Sequence, residues 1–137
     1  MRDDFHNLKH KVGLAPTSIS SDTTTNGAEI DRDSAMTLTA FMLVGGYSGG
    51  DFEMKVMHAD DDGTGNPDSF SEVPDSDLIG TEAGSNLDGN GVSKIGYTGG
   101  KAFVRVDVVS ANGANGTVGV TVVEGGLYHA PDDTQAR

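Results

Sequence analysis

Apolar and polar residues alternate along much of this chain, most clearly near its C-terminal third. Ala102, Val104, Val106 and Val108 fall on one side of the alternation, and Phe103, Arg105, Asp107 and Val109 on the other. That period of two is the mark of a half-buried strand. Thr98-Gly99-Gly100, just upstream, supplies the backbone freedom of a tight turn, so the pattern predicts a hairpin in which Ile95-Gly96-Tyr97 pairs antiparallel with Phe103-Val104-Arg105.

The same alternation recurs elsewhere. Met36, Leu38, Ala40, Met42 and Val44 share one face, while Ala35, Thr37, Thr39, Phe41 and Leu43 share the other. Because both faces are rather apolar, this reads as a central strand covered on both sides by sheet, loops or a neighbouring subunit. Thr37, Thr39 and Phe41, with Arg105 from the later strand, are the candidate residues of an oligomer interface. Gly45 to Gly50 interrupts the pattern, and Phe52, Met54 and Val56 resume it against Asp51, Glu53 and Lys55, predicting a second hairpin. Short strands follow at Ser69–Val73 and Asp77–Thr81. Ala111 to Gly116 then turns the chain into a last strand, in which Val118, Val120 and Val122 share a face. Seven to nine short strands with Gly and Asn turns, and no long helical period, predict an all-β fold: an antiparallel β-sandwich, jelly-roll-like, with an extended N-terminal arm. The expected divisions are an arm over 1–17, a sandwich over 18–128 and a polar tail over 129–137.

The arm carries Phe5, Leu8, Val12 and Leu14 among basic residues, and Gly13 and Pro16 cut short any helix it could start. It reads either as a segment that orders against a partner or as a frayed terminus with local packing.

Composition narrows the function. The chain has 137 residues, enough for one domain with its own core, and no cysteine, which removes disulfide scaffolds, thiolate metal sites and cysteine catalysis. No stretch has the length of a signal peptide's apolar region or of a membrane span, so a soluble protein is expected. Acids outnumber bases by 21 to 9, and 16 of the acids are Asp. A net charge of −12 repels phosphate backbones, so nucleic acid is an unexpected partner and protein an expected one.

Motifs for chemistry are sparse. Asp60-Asp61-Asp62-Gly63 suggests a hard cation, yet aligning it with an EF-hand puts His58 at the first ligand position and Ser69 where a bidentate Glu is needed. A solvated acidic hairpin loop is the favoured reading; a looser calcium loop using Asp60, Asp62 and Asp68 is the alternative. Gly46-Tyr47-Ser48-Gly49-Gly50 has the letters of a nucleophile elbow, but strands flank it on both sides and no helix follows. His6 and His10 could share a helix face without a third ligand. No acid and base pair is forced together by spacing, so neither an enzyme nor a cofactor is expected.

Several blocks together resemble a family. Asn7-Leu8-Lys9, Leu14-Ala15-Pro16, the His58-Ala59-Asp60-Asp61 turn leading to Phe70 and Val73, Asp77-Leu78-Ile79-Gly80-Thr81, the run from Gly96 to Val106 and His129-Ala130-Pro131 look like small structural proteins encoded among the head genes of tailed bacteriophages. The chain departs from that pattern in its Asp62 to Asp68 insertion and its acidity. The resemblance implies a virion protein on the outer capsid surface, a decoration or cement protein clamping the phage major capsid protein. Its capsid contacts would come from the arm, through Phe5, Leu8, Lys9, Lys11, Leu14 and Pro16. Lattice symmetry suggests a homotrimer first and a dimer second. A host-attachment or carbohydrate-binding module and a head–tail connector or tail protein are the alternatives, the former weakened by the lack of any Trp.

Overall fold

Two strands of unusual length carry the molecule. In the computed structural model, which describes residues 8–32 and 37–125, β4 (Thr37–Ala59) and β8 (Phe103–Gly125) each run for 23 residues. They pair antiparallel from Thr37↔Gly125 to Ala59↔Phe103, with the register shifting between Gly45 and Asp51. Shorter strands add to this ribbon: β1 (Lys9–Ile19), β2 (Thr24–Thr25) and β3 (Ile30–Asp31) on β8, and β5 (Ser71–Glu72) and β7 (Gly91–Tyr97) on β4, with β6 (Leu78–Ile79) on β7. The described residues contain no α-helix, only two 3-10 turns at Asp75–Asp77 and Ala83–Ser85. The fold is all-β and antiparallel, as the alternation predicts.

The ribbon bends at its shifted register, and the bend makes two layers. Residues 37–45 of β4 and 115–125 of β8 form the first layer with β7, β6 and β1. Residues 51–59 and 103–111 form the second with β2, β3 and β5. Tyr97 shows that the layers face one another: it pairs with Leu38 in the first layer, while its hydroxyl lies 3.0 Å from His58 Nδ1 in the second. Between the layers Leu38, Met42, Val44, Phe52, Met54, Val56, Val104, Val106, Val108, Val118, Val120 and Val122 form one continuous apolar cluster.

Three expectations change. The hairpin of Ile95-Gly96-Tyr97 with Phe103-Val104-Arg105 does not form, because β4 stands between those strands and pairs with both. Thr98 to Ala102 crosses between layers instead, held by the Lys101 N–H donating to the Tyr97 hydroxyl. Likewise Gly45–Gly50 and Ala111–Gly116 are not hairpin turns; they are facing corners of one bent ribbon. The Asp22 carboxylate caps that corner by accepting from the N–H groups of Gly113 and Ala114. Finally, the stretch from Lys9 to Thr17, expected as an arm, is an edge strand paired along β8.

The free side of residues 52–58 in β4 is closed without a full strand. Phe52 exchanges backbone hydrogen bonds with Leu87, Met54 N–H donates to Ser85 Oγ, Val56 N–H donates to Glu82 Oε1, and Val73 N–H donates to Val56 O. Covered edges of this kind prevent unwanted strand pairing. Burial, the main cause, raises Glu82 above its ordinary carboxylate pKa, and its bond to Val56 opposes the rise.

Candidate functional site

The two outer faces of this sandwich differ in chemistry. On the second layer, alternation turns Asp51, Glu53, Lys55 and Met57 of β4 outward beside Arg105 and Asp107 of β8. Arg105 holds Asp107 with two bonds, at 2.8 and 3.0 Å, and its guanidinium stacks 4.7 Å from the centre of the Phe70 ring. Lys55 lies 3.3 Å from Glu72. This face is charged and internally paired.

The first layer's outer face carries no carboxylate among the described residues. Reading across the register, Ile79 lies beside Gly96, which neighbours Thr39, then Val123, then His10. The next rows are Lys94–Phe41–Thr121–Val12 and Val92–Leu43–Gly119, with Pro16 lying over Gly119. Val12, Leu43, Ile79 and Val92, each 60% or 61% exposed, are the large hydrophobic side chains left in solvent among the described residues. All four sit on this one face. Ile79, Thr39 and Lys94 border an open groove of about 260 Å³ floored by Gly96. Scattered exposed hydrophobics need no explanation, but a gathered patch in so acidic a chain marks a surface meant to be covered.

The candidate residues distribute unevenly about this face. Thr37, Thr39 and Phe41 lie on it, whereas Arg105 lies on the opposite layer. Of the proposed capsid contacts, Pro16 and Leu8 border it, the latter beside Gly125. Lys11 and Leu14 turn inward: the Lys11 ammonium is 3.1 Å from the buried Glu124 carboxylate, and Leu14 packs against the core. Lys9 is half-buried opposite Glu124. Phe5 lies outside the described residues.

The acidic loop forms a hairpin closed by Asp61↔Pro67. Its carboxylates are engaged locally. Asp60 pairs with Lys101 at 2.8 Å, Asp61 accepts from the N–H groups of Gly63 and Gly65, and Asp68 accepts from Ser69 N–H. Asp62 accepts from the Thr64 hydroxyl and N–H, and these bonds hold it below its ordinary pKa. Among the described residues no three His, Asp or Glu side chains group at a spacing fit for a metal ion. No helix among them is long and apolar enough to cross a membrane.

His58 is the titratable group most tied to the fold. The Tyr97 hydroxyl accepts from Lys101 N–H and lies 3.0 Å from His58 Nδ1, which ties the imidazole to the packing between the layers. Burial lowers the His58 pKa from its ordinary 6.5, and the Lys101 ammonium lowers it further against Asp77 and Asp60. A folded state that resists this proton loses stability as pH falls below the ordinary histidine value, while the unfolded chain takes the proton up. The melting temperature is therefore expected to be flat above pH about 6.5 and to decline below it, before carboxylates titrate. In His58→Gln that first decline should vanish; an identical profile in the variant would assign the titration elsewhere.

No protein-family model matches the chain, and no curated protein matches it. Among solved structures, the crystal structure of the SPBc2 prophage-derived protein YomS aligns over 86% of this chain and 92% of its own, with a TM-score of 0.50 and 13% identity. The two share a fold. A structure from work titled "Bacillus endospore appendages form a novel family of disulfide-linked pili" aligns over 89% of this chain and 90% of its own, with a TM-score of 0.42 and 7% identity.

Proposed function

We propose that this is a structural, non-catalytic protein of a tailed-phage particle, a decoration protein that sits on the outer capsid surface and stabilises the major capsid protein lattice. The observation that carries the reading is a face that bears no carboxylate among the described residues: one sheet surface gathers the large hydrophobics exposed among them, in a chain whose net charge is −12. Such a face suits burial in an assembly, and a protein that binds the assembled lattice but not free subunits favours the lattice by mass action. The fold shared with a prophage-derived protein and the resemblance of the sequence blocks to phage head proteins support the setting. His58 and Glu82 bond to Tyr97 and to the backbone of Val56, contacts that hold the two layers and the β4 edge and so fit a role without chemistry.

Electron cryo-microscopy of shells assembled with and without the protein tests this. The expected result is density at regular positions over the outer lattice, with the carboxylate-free face turned away from solvent. Density confined to the tail vertex would replace the reading with a connector, and bare shells would remove it.

A further inference from the structure

We propose that the carboxylate-free face is the contact between two copies of this chain, packed sheet against sheet about a two-fold axis. The inference rests on reading that face as an assembly surface and names its occupant. Charge selects the partner. Two copies each carrying −12 repel through every surface that bears acids. The second layer presents Asp51, Glu53 and Glu72, and pairing it with itself would bring carboxylates together and strip them of water. The first layer can meet its own copy with Thr37, Thr39, Phe41, Leu43, Val92 and Thr121, none of which is charged. A surface built for a cationic partner would have kept carboxylates where they attract it; among the described residues this one has none, while the chain as a whole is rich in them.

Shape and extent agree. The face is a sheet of short side chains with Phe41 near its middle, suited to a second sheet about 10 Å away. One outward position on β6, three on β7, about five each on β4 and β8 and about three on β1, spaced about 4.8 Å across and about 6.8 Å along the strands, give on the order of 550 Å² per copy. A pair buries about 1,100 Å², just above the roughly 1,000 Å² a specific interface needs, so the dimer should be dissociable and concentration-dependent. Lys94, at the β7 end of the middle row, can lay its stem along the apolar surface and keep its ammonium at the rim.

The test needs no particle, so it fails or succeeds apart from the capsid reading. Light scattering after gel filtration, from micromolar to near-millimolar protein, is expected to rise from the 14.1 kDa chain mass to twice that value. High salt should favour the dimer by screening the like charges. Leu43→Asp is expected to abolish the dimer without loss of fold, since Leu43 is mostly solvent-exposed; Lys55→Glu on the other layer should leave the dimer intact. The absence of cysteine allows a second check, because Thr39→Cys should join copies through a bis-maleimide crosslinker long enough to bridge the gap between the sheets, and Lys55→Cys should not. A monomer at every concentration and salt overturns the inference, and if that monomer still coats shells the face belongs to the capsid. An assembly that survives Leu43→Asp, or one of three or more copies, also overturns it.

Discussion

Gly50→Ala is expected to cost at least about 3 kcal/mol and to lower the melting temperature by roughly 10 °C. Gly50 sits at the corner of the bent ribbon with φ at +72°. A methyl group there would stand 2.4 Å from Ala114 Cα and N and 2.5 Å from Ala111 O. These are backbone atoms of the facing corner, so relief requires the corner to open, and opening it separates the two layers. The conformational part can be isolated. Gly113 has a similar φ of +79° with nothing within 4 Å of the position its methyl would take. Gly113→Ala should therefore cost only the left-handed backbone penalty, about 1 kcal/mol. Thermal melts of the two variants decide the matter: equal losses would show that backbone strain, not the close crossing, fixes the corner.

That corner also marks where the sequence stopped being readable. Alternation tells which side of a strand faces the core, and it did so correctly for Phe52, Met54, Val56, Val104, Val106 and Val108, all of them buried. Alternation does not tell which strand lies alongside. Tyr97 and Phe103 are close in sequence with glycines between, the local signature of a hairpin, yet each finds its partner more than forty positions away in β4. The competing preference is tertiary: Tyr97 turns into the core, where His58 and Lys101 N–H satisfy its hydroxyl. Glycine-rich corners carry the same letters as glycine-rich turns, and only their facing positions in a long ribbon separate the two.

The candidate face was half legible for the same reason. Thr37, Thr39 and Phe41 stood out because their strand is apolar on both sides. Val12, Ile79 and Val92 did not, being single apolar residues at outward positions of three separate strands. The strand order β1-β8-β4-β7-β6 brings them together, and that order depends on long-range pairings that no local pattern encodes. Arg105 shares the apolar neighbourhood of its strand in sequence but points to the other layer, where Asp107 and Phe70 hold it. Absence of carboxylates from one face becomes visible only when the face is known.

Val106→Asp is expected to leave the protein unfolded at neutral pH. Val106 is fully buried opposite Val56, itself 1% exposed, in the middle of the second layer's inner face. An isolated buried carboxylate costs several kcal/mol or forces its own protonation, and the lost apolar burial adds about 1–2 kcal/mol. Against a total stability of roughly 5–15 kcal/mol for a domain of this kind, that sum is enough to lose the fold. The same substitution at Val104 should be milder. His58 stands directly across the ladder from Val104, so an aspartate there would meet an imidazole able to take a proton and pair with it, offsetting part of the burial cost. Circular dichroism at pH 7 is expected to show an unfolded Val106→Asp chain and a weakened but folded Val104→Asp chain. Mild acid should favour the Val106 variant by neutralising its carboxylate. A Val106→Asp protein with an ordinary melting curve would mean that the even-numbered face of β8 meets water, and the two-layer assignment would have to be reversed.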